Sequence, residues 1–140
     1  MRFAELAIGQ TAEVRRTITE SDVVAFAGIS GDFNPVHVDA EWAARTRFGG
    51  RVAHGMLSAG LISNVLGMRL PGAGAIYRSQ TLRFTAPVRP GDTITARAEV
   101  VELVPAKRRV RLRTTCTNQD GETVVEGEAT MVVDDVPDSG

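Results

Sequence analysis

The alternation of polar and apolar positions divides the chain into two textures. Residues 11–18 read as an opening strand. Thr19-Glu20-Ser21-Asp22 then sets a hydroxyl where it can cap a helix and acids where they favour its positive end. Val23, Val24, Phe26 and Ala27 follow at helical spacing, and Gly28 to Gly31 ends the run. Gly31-Asp32-Phe33-Asn34-Pro35 is a dense turn signal, because Pro35 lacks an N–H and pushes Asn34 out of the helical region. A short helix is predicted from Ala40 to Arg47, broken by Gly49-Gly50. From Gly55 to Met68 the chain is apolar on nearly every face, which predicts a helix buried all round; Leu70-Pro71-Gly72 stops it.

The second half alternates. Tyr77 to Pro87, Asp92 to Leu103, Arg108 to Thr117 and Thr123 to Val133 read as four long strands. Arg109, Arg111 and Arg113 alternate with Val110, Leu112 and Thr114, as in a sheet wet on one face and buried on the other. Pro90-Gly91-Asp92 and Asn118 to Gly121 are expected as turns between neighbouring antiparallel strands. One buried helix and a long antiparallel meander make an α+β fold. A sheet wrapped around a long central apolar helix is the hot-dog arrangement.

Composition narrows the function. The chain has 140 residues, enough for one domain and a self-supporting core. The domain is expected over residues 1–133, with an acidic frayed tail over 134–140. Sixteen basic and seventeen acidic residues leave a net charge of -1, which offers no overall attraction to nucleic acid or anionic lipid. Fifteen of the basic residues are arginine, and Lys107 is the one lysine. Cys116 is the single cysteine, which excludes an internal disulfide and a multi-cysteine zinc site and fits a reducing, cytoplasmic compartment. No secretory signal and no membrane span is expected.

The candidate chemistry centres on Asp32 and His37. The glycine and proline of Gly31-Asp32-Phe33-Asn34-Pro35-Val36-His37 force an irregular loop that can aim a carboxylate and an imidazole at one point. Such a pair can hold one water, one group taking a proton from it and the other delivering a proton nearby. The alternative is a helix-ending turn in which Asp32 bonds backbone amides. Val38-Asp39-Ala40 supplies its own cap for the next helix, so Asp32 is not needed for that task.

The stretch from Ala25 to Asp39 resembles the hydratase motif of MaoC-like (R)-specific enoyl-CoA hydratases. Val52-Ala53-His54-Gly55-Met56-Leu57, Pro71 to Tyr77 and Phe84 to Asp92 are similar to further segments of that family, in the same order. The resemblance covers about residues 5 to 133. It implies a homodimer of hot-dog subunits that reversibly adds water, syn, to a trans-2-enoyl thioester of coenzyme A or acyl carrier protein, giving the (R)-3-hydroxyacyl thioester. It implies that Asp32 and His37 are the catalytic pair, that Asn34 orients the loop, and that Ser63 helps place the aspartate or the water. It calls for no cofactor and no metal. Adding oxygen to C3 pushes charge onto the thioester oxygen, which needs a donor placed beforehand. The Gly55 N–H, free at the positive end of the buried helix, is assigned that role. His54 reads as a structural histidine that anchors the helix start.

Other readings are weaker. A metal held by Asp32, His37, Asp39 and His54 matches no common zinc spacing. Gly55 to Gly60 offers Gly-x-x-Ser-x-Gly, one residue off the nucleophile elbow, and places Ser58 inside an apolar helix. The arginine stripe lacks the interleaved aromatics of an RNA surface. Within the resemblance, a 3-hydroxyacyl dehydratase subunit, a non-catalytic hot-dog scaffold partner and an acyl-CoA thioesterase are the alternatives.

Overall fold

The computed structural model describes residues 1–136. Thr19 opens the first helix, α1 (Glu20–Ser30), with a reciprocal capping box: its Oγ1 accepts the Asp22 N–H at 3.1 Å, and Asp22 Oδ2 accepts the Thr19 N–H at 2.9 Å. Gly31 closes it in the left-handed conformation, φ 79°, donating its N–H to the Ala27 carbonyl. Two short helices follow, α2 (Pro35–Val38) and α3 (Ala40–Ala44), then the long α4 (Gly55–Met68). The strands are β1 (Thr11–Thr17), β2 (Ala75–Gln80), β3 (Arg83–Phe84), β4 (Thr93–Val104), β5 (Arg109–Thr117) and β6 (Thr123–Val133).

All six strands join one antiparallel sheet, ordered β1-β4-β5-β6-β2, with β3 also paired to β6. The sheet curls around one side of α4. Leu61, Ile62, Val65 and Leu66 of the helix enter a core with Ile94, Ala96, Ala98 and Val100 of β4 and Val110, Leu112 and Cys116 of β5. The small Ala96 and Ala98 let the helix lie close to the sheet. Full burial of each Leu, Ile or Val stabilises by about 1.5–3 kcal/mol. On the outer face, Arg111 pairs with Glu128 and Glu102, and Arg113 with Glu99. The arginine stripe is therefore a solvated sheet face laced by cross-strand ion pairs.

Four expectations change. The helix over 55–68 is not buried all round: Met56 is 53% and Met68 77% exposed, and Gly60, Ser63 and Asn64 are open to solvent. One chain supplies a sheet for one side of the helix only. The strand expected from Tyr77 to Pro87 breaks into β2 and β3. The link between them presses on β6, where a Cβ at Gly127 would fall 1.8 Å from the Thr81 carbonyl oxygen, so only glycine admits the crossing. Pro90-Gly91-Asp92 turns into β4, but β3 pairs β6 rather than β4, so this turn does not join paired neighbours. The short helix ends at Ala44, and Pro35–Val38 forms a helical turn of its own. Of the tail, Asp134 donates its N–H to Gly74 and Asp135 accepts from the Phe3 N–H; residues 137–140 lie outside the described ones.

Candidate active site

The site grows from the end of α1. Ser30 Oγ donates back to the Phe26 carbonyl at 2.7 Å and accepts the Asp32 N–H at 3.2 Å, so the chain leaves the helix in a fixed direction. Asp32 Oδ1 accepts the Asn34 N–H at 3.2 Å. Asn34 caps α2 in turn, its Oδ1 accepting the Val36 N–H at 3.2 Å, with Pro35 at the first helical position. The amide-bonding alternative for Asp32 is thus half present. One carboxylate oxygen holds the turn, and the other, Oδ2, stands 3.9 Å from His37 Nε2.

His37 is fixed from its other side. Its Nδ1 lies 2.7 Å from the Val52 carbonyl oxygen, which can only accept, so Nδ1 carries a hydrogen and donates it. Val52 completes the link by donating its N–H to the Val36 carbonyl at 3.1 Å. Nε2 is then the nitrogen at which the ring takes up or releases a proton, and it faces Asp32. The 3.9 Å separation exceeds hydrogen-bond reach and leaves the pair free to share a third group. The two side chains differ in exposure, 12% for His37 and 51% for Asp32.

His37 lines a cavity of about 450 Å³ that also touches Gly55, Ser58, Phe84, Val88 and Val125. Gly55 is the first residue of α4, where a backbone N–H has no partner within the helix. Its lack of a side chain has a reason the sequence reading missed. A Cβ there would sit 2.5 Å from Phe84 Cδ1, so any larger residue would force the ring to shift. Ser63 is not brought to this cavity. It sits eight residues further along α4, about 12 Å of rise, exposed on the open face, where it lines a second, apolar hollow with Met56, Gly60, Tyr77 and Leu82.

His54 stands where the sequence reading put it, at the start of the long helix, and it also touches the catalytic loop. It is 2% exposed. It is the N-cap of α4, yet its side chain makes no capping bond. Its Nε2 donates to the Asp32 carbonyl at 2.9 Å, and its ring stacks on His37 with centroids 3.8 Å apart and planes 27° from parallel. Phe26 packs at 4.8 Å on the same ring. No spacing rule pairs His54 with His37; they meet because Val52 and Val36 are bonded through their backbones.

Asp32, His37 and His54 each bring one ligand atom within 4.8 Å of the others. They do not make a good metal cradle. The lone pairs of imidazoles lie in the ring planes, and two stacked rings do not converge on one ion at a bonding distance of about 2 Å. Asp39 is engaged as the cap of α3, accepting the Trp42 N–H at 3.0 Å. The Cys116 thiol is pushed up to about 12 by burial, which leaves it a weak donor to the Ser58 carbonyl rather than a nucleophile.

Comparison with known proteins gives this geometry its context. The MaoC like domain matches residues 4–126. An (R)-specific enoyl-CoA hydratase of Rhodospirillum rubrum is 56% identical over 94% of this chain and 90% of its own length. A 3-hydroxybutyryl-CoA dehydratase of Methylorubrum extorquens is 54% identical over 94% of this chain and 83% of its own. Among solved structures, the unliganded R-hydratase of Pseudomonas aeruginosa superposes with a TM-score of 0.90 at 47% identity, covering 99% of this chain and 95% of that one. Sequence and fold therefore agree, and the chain belongs to the MaoC-like family.

Proposed function

We propose that this chain is an (R)-specific enoyl-CoA hydratase, which reversibly adds water to a trans-2-enoyl-CoA and so runs as a 3-hydroxyacyl-CoA dehydratase in reverse. Relatives at 54–56% identity over nearly the full chain support the activity. The observation that carries the mechanism is the Asp32–His37 pair, 3.9 Å apart beside a cavity bounded by the start of α4.

In the proposed step, a water held between Asp32 Oδ2 and His37 Nε2 bonds through its oxygen to C3. One member of the pair takes a proton from that water while the other gives one to C2. The carbon–carbon double bond is consumed, and the elements of one water are added on one face. The electron pair passes through the thioester oxygen, where the Gly55 N–H, reinforced by the positive end of α4, stabilises the developing charge. Asn34 supports the pair by donating its N–H to Asp32 and by capping the helix that carries His37. Ser63 faces the open side of α4, so any part it takes is at an interface with a second subunit.

A homodimer is part of the same proposal. The uncovered face of α4 carries Met56 and Met68, and the edge strand β2 adds Ile76 at 45% and Tyr77 at 39% exposure. A second copy would cover this surface and close the hollow that Ser63 lines. No helix among the described residues is long and apolar enough to cross a membrane. We place the enzyme in the cytoplasm on its lone cysteine.

The test mixes purified protein with crotonyl-CoA and follows the conjugated-enoyl absorbance. Loss of absorbance with formation of the (R)-3-hydroxy product is expected. Release of free thiol would replace this reading by a thioesterase, and no reaction at all would favour a scaffold partner. Activity on the acyl carrier protein thioester but not on the coenzyme A thioester would reassign the carrier.

A further inference from the structure

Two buried polar atoms beside the catalytic loop have no hydrogen-bond partner among the described residues, and both lie at the start of α4: Nδ1 of its N-cap, His54, and Oγ of Ser58. Their residues are 2% and 1% exposed. Buried polar atoms are rarely left unpaired.

The chemistry of the two atoms is complementary. His54 Nε2 donates to the Asp32 carbonyl, which has no hydrogen to give, so in the neutral ring Nδ1 is a bare acceptor. Ser58 Oγ–H is a donor without an acceptor. Ser58 stands four residues after His54, in the opening of the helix that His54 precedes as its N-cap. The two atoms are not bonded to each other in the structure; a change of Ser58 χ1 between staggered positions would aim its hydroxyl, while His54 is clamped by Phe26 and His37. The turn that presents Ser58 is itself anchored, because its carbonyl accepts the Cys116 S–H from β5 at 3.6 Å.

We propose that Ser58 is a positioning residue: its hydroxyl donates to His54 Nδ1, fixing the tautomer with which His54 holds the Asp32 main chain and supports the His37 ring. The chain of bonds runs from Ser58 Oγ–H to His54 Nδ1, then from His54 Nε2–H to the Asp32 carbonyl. It ties the height of the catalytic loop to the rigid helix and, through Cys116, to the sheet. Without the hydroxyl, His54 Nδ1 is left a buried acceptor with no partner, and the Asp32 carbonyl alone is left to hold the tautomer and the tilt of the ring. The proposal rests on Asp32 and His37 being the catalytic pair, but the bond itself can be read without turnover.

The chain has two histidines, so the ring nitrogens of the full-length labelled protein are assigned with one variant, His37→Gln. In the wild type, long-range nitrogen–proton correlation should give His54 as the Nε2–H tautomer with a hydrogen-bonded Nδ1. Ser58→Ala should shift that Nδ1 resonance toward the free-acceptor position, and Ser58→Thr should keep it. In the same proteins, Ser58→Ala should lower kcat about three- to tenfold, the rate equivalent of one net hydrogen bond, with KM unchanged and Ser58→Thr restoring the rate. An Nδ1 resonance that does not move in Ser58→Ala overturns the bond. A resonance that moves while kcat stays at the wild-type value overturns the positioning role. A wild-type protein with no hydratase activity counts against the catalytic reading, and the spectra still decide the bond.

Discussion

On the inner side of β5, Val110, Leu112, Thr114 and Cys116 are fully buried; the three apolar ones join the core with β4, β6 and α4, and Thr114 Oγ1 accepts from Gln80 Nε2 of β2. In the loop from Gly31 to Asp39, Asp32 is half exposed, and its direction depends on three bonds: its own N–H to Ser30 Oγ, the Asn34 N–H to its Oδ1, and His54 Nε2–H to its carbonyl. The sheet is held by area and the loop by individual hydrogen bonds. Burial is shared among many contacts and sums to a large stabilisation, so the sheet sets whether the chain folds. The loop contributes little to stability and nearly everything to where one carboxylate oxygen stands.

The comparison breaks most sharply at the pair itself. Asp32→Asn or His37→Gln should reduce kcat about 10²–10⁴-fold, the span carried by a general acid or base, and leave the thermal unfolding midpoint near that of the wild type. A near-normal rate in either variant would remove that residue from the chemistry. Leu112→Ala should do the opposite. It deletes a fully buried side chain from the sheet and should cost about 2–5 kcal/mol in urea unfolding, while kcat measured on the folded fraction stays close to wild type. If Leu112→Ala lowered kcat as strongly as stability, loop and sheet would not be separable.

Gly55 sits where the two regions meet, and a smaller effect decides why it is glycine. Gly55→Ala alone puts a methyl 2.5 Å from Phe84 Cδ1 and should cost about 1–3 kcal/mol of overpacking. Adding Phe84→Leu relieves that crowding. If the double variant regains stability and stays impaired in kcat, the space above Gly55 is needed by the thioester. If it regains both, the glycine serves the ring.

Much of this division was legible in the residues. Alternation between Arg109 and Thr114 fixed which side of β5 faces the core, since a period of two leaves no choice of face. The helix from Gly55 to Met68 appeared with its observed ends because glycine and Leu70-Pro71 bracket it. Asp32 and His37 were legible because Pro35 and Gly31 restrict the loop between them. The hidden features are those made by distant contacts. His54 meets His37 only after Val52 bonds Val36. Phe84 reaches Gly55 only after the β2–β3 link bends over Gly127. The open face of α4 could not be read from an all-apolar pattern, because that pattern does not say whether the covering sheet is one chain's or two.

The smallest expected effect lies at the far end of α1, where a single ion pair supports the helix that leads into the loop. Asp22 Oδ1 is 2.6 Å from Arg16 Nη2, and its Oδ2 accepts the Thr19 N–H. The Arg16 hydrogen bond, followed by the Thr19 amide, lowers the Asp22 carboxyl to about 2 from its ordinary 3.8. The folded protein therefore binds this proton less readily than the unfolded chain. The stabilisation is complete above the unfolded value and is lost as pH falls from about 4 toward 2. Asp22→Ala removes both the pair and half of the capping box, and should cost about 1 kcal/mol near neutral pH. Urea unfolding of the two proteins at stepwise lower pH should show that difference shrinking across the same interval. Because α1 hands its last turn directly to Ser30 and Gly31, the variant also asks whether a loss of stability at the start of the helix reaches the loop. With loop geometry set by its own three bonds, kcat should stay unchanged, and a fall in kcat that tracked the lost stability would tie the loop to the fold after all.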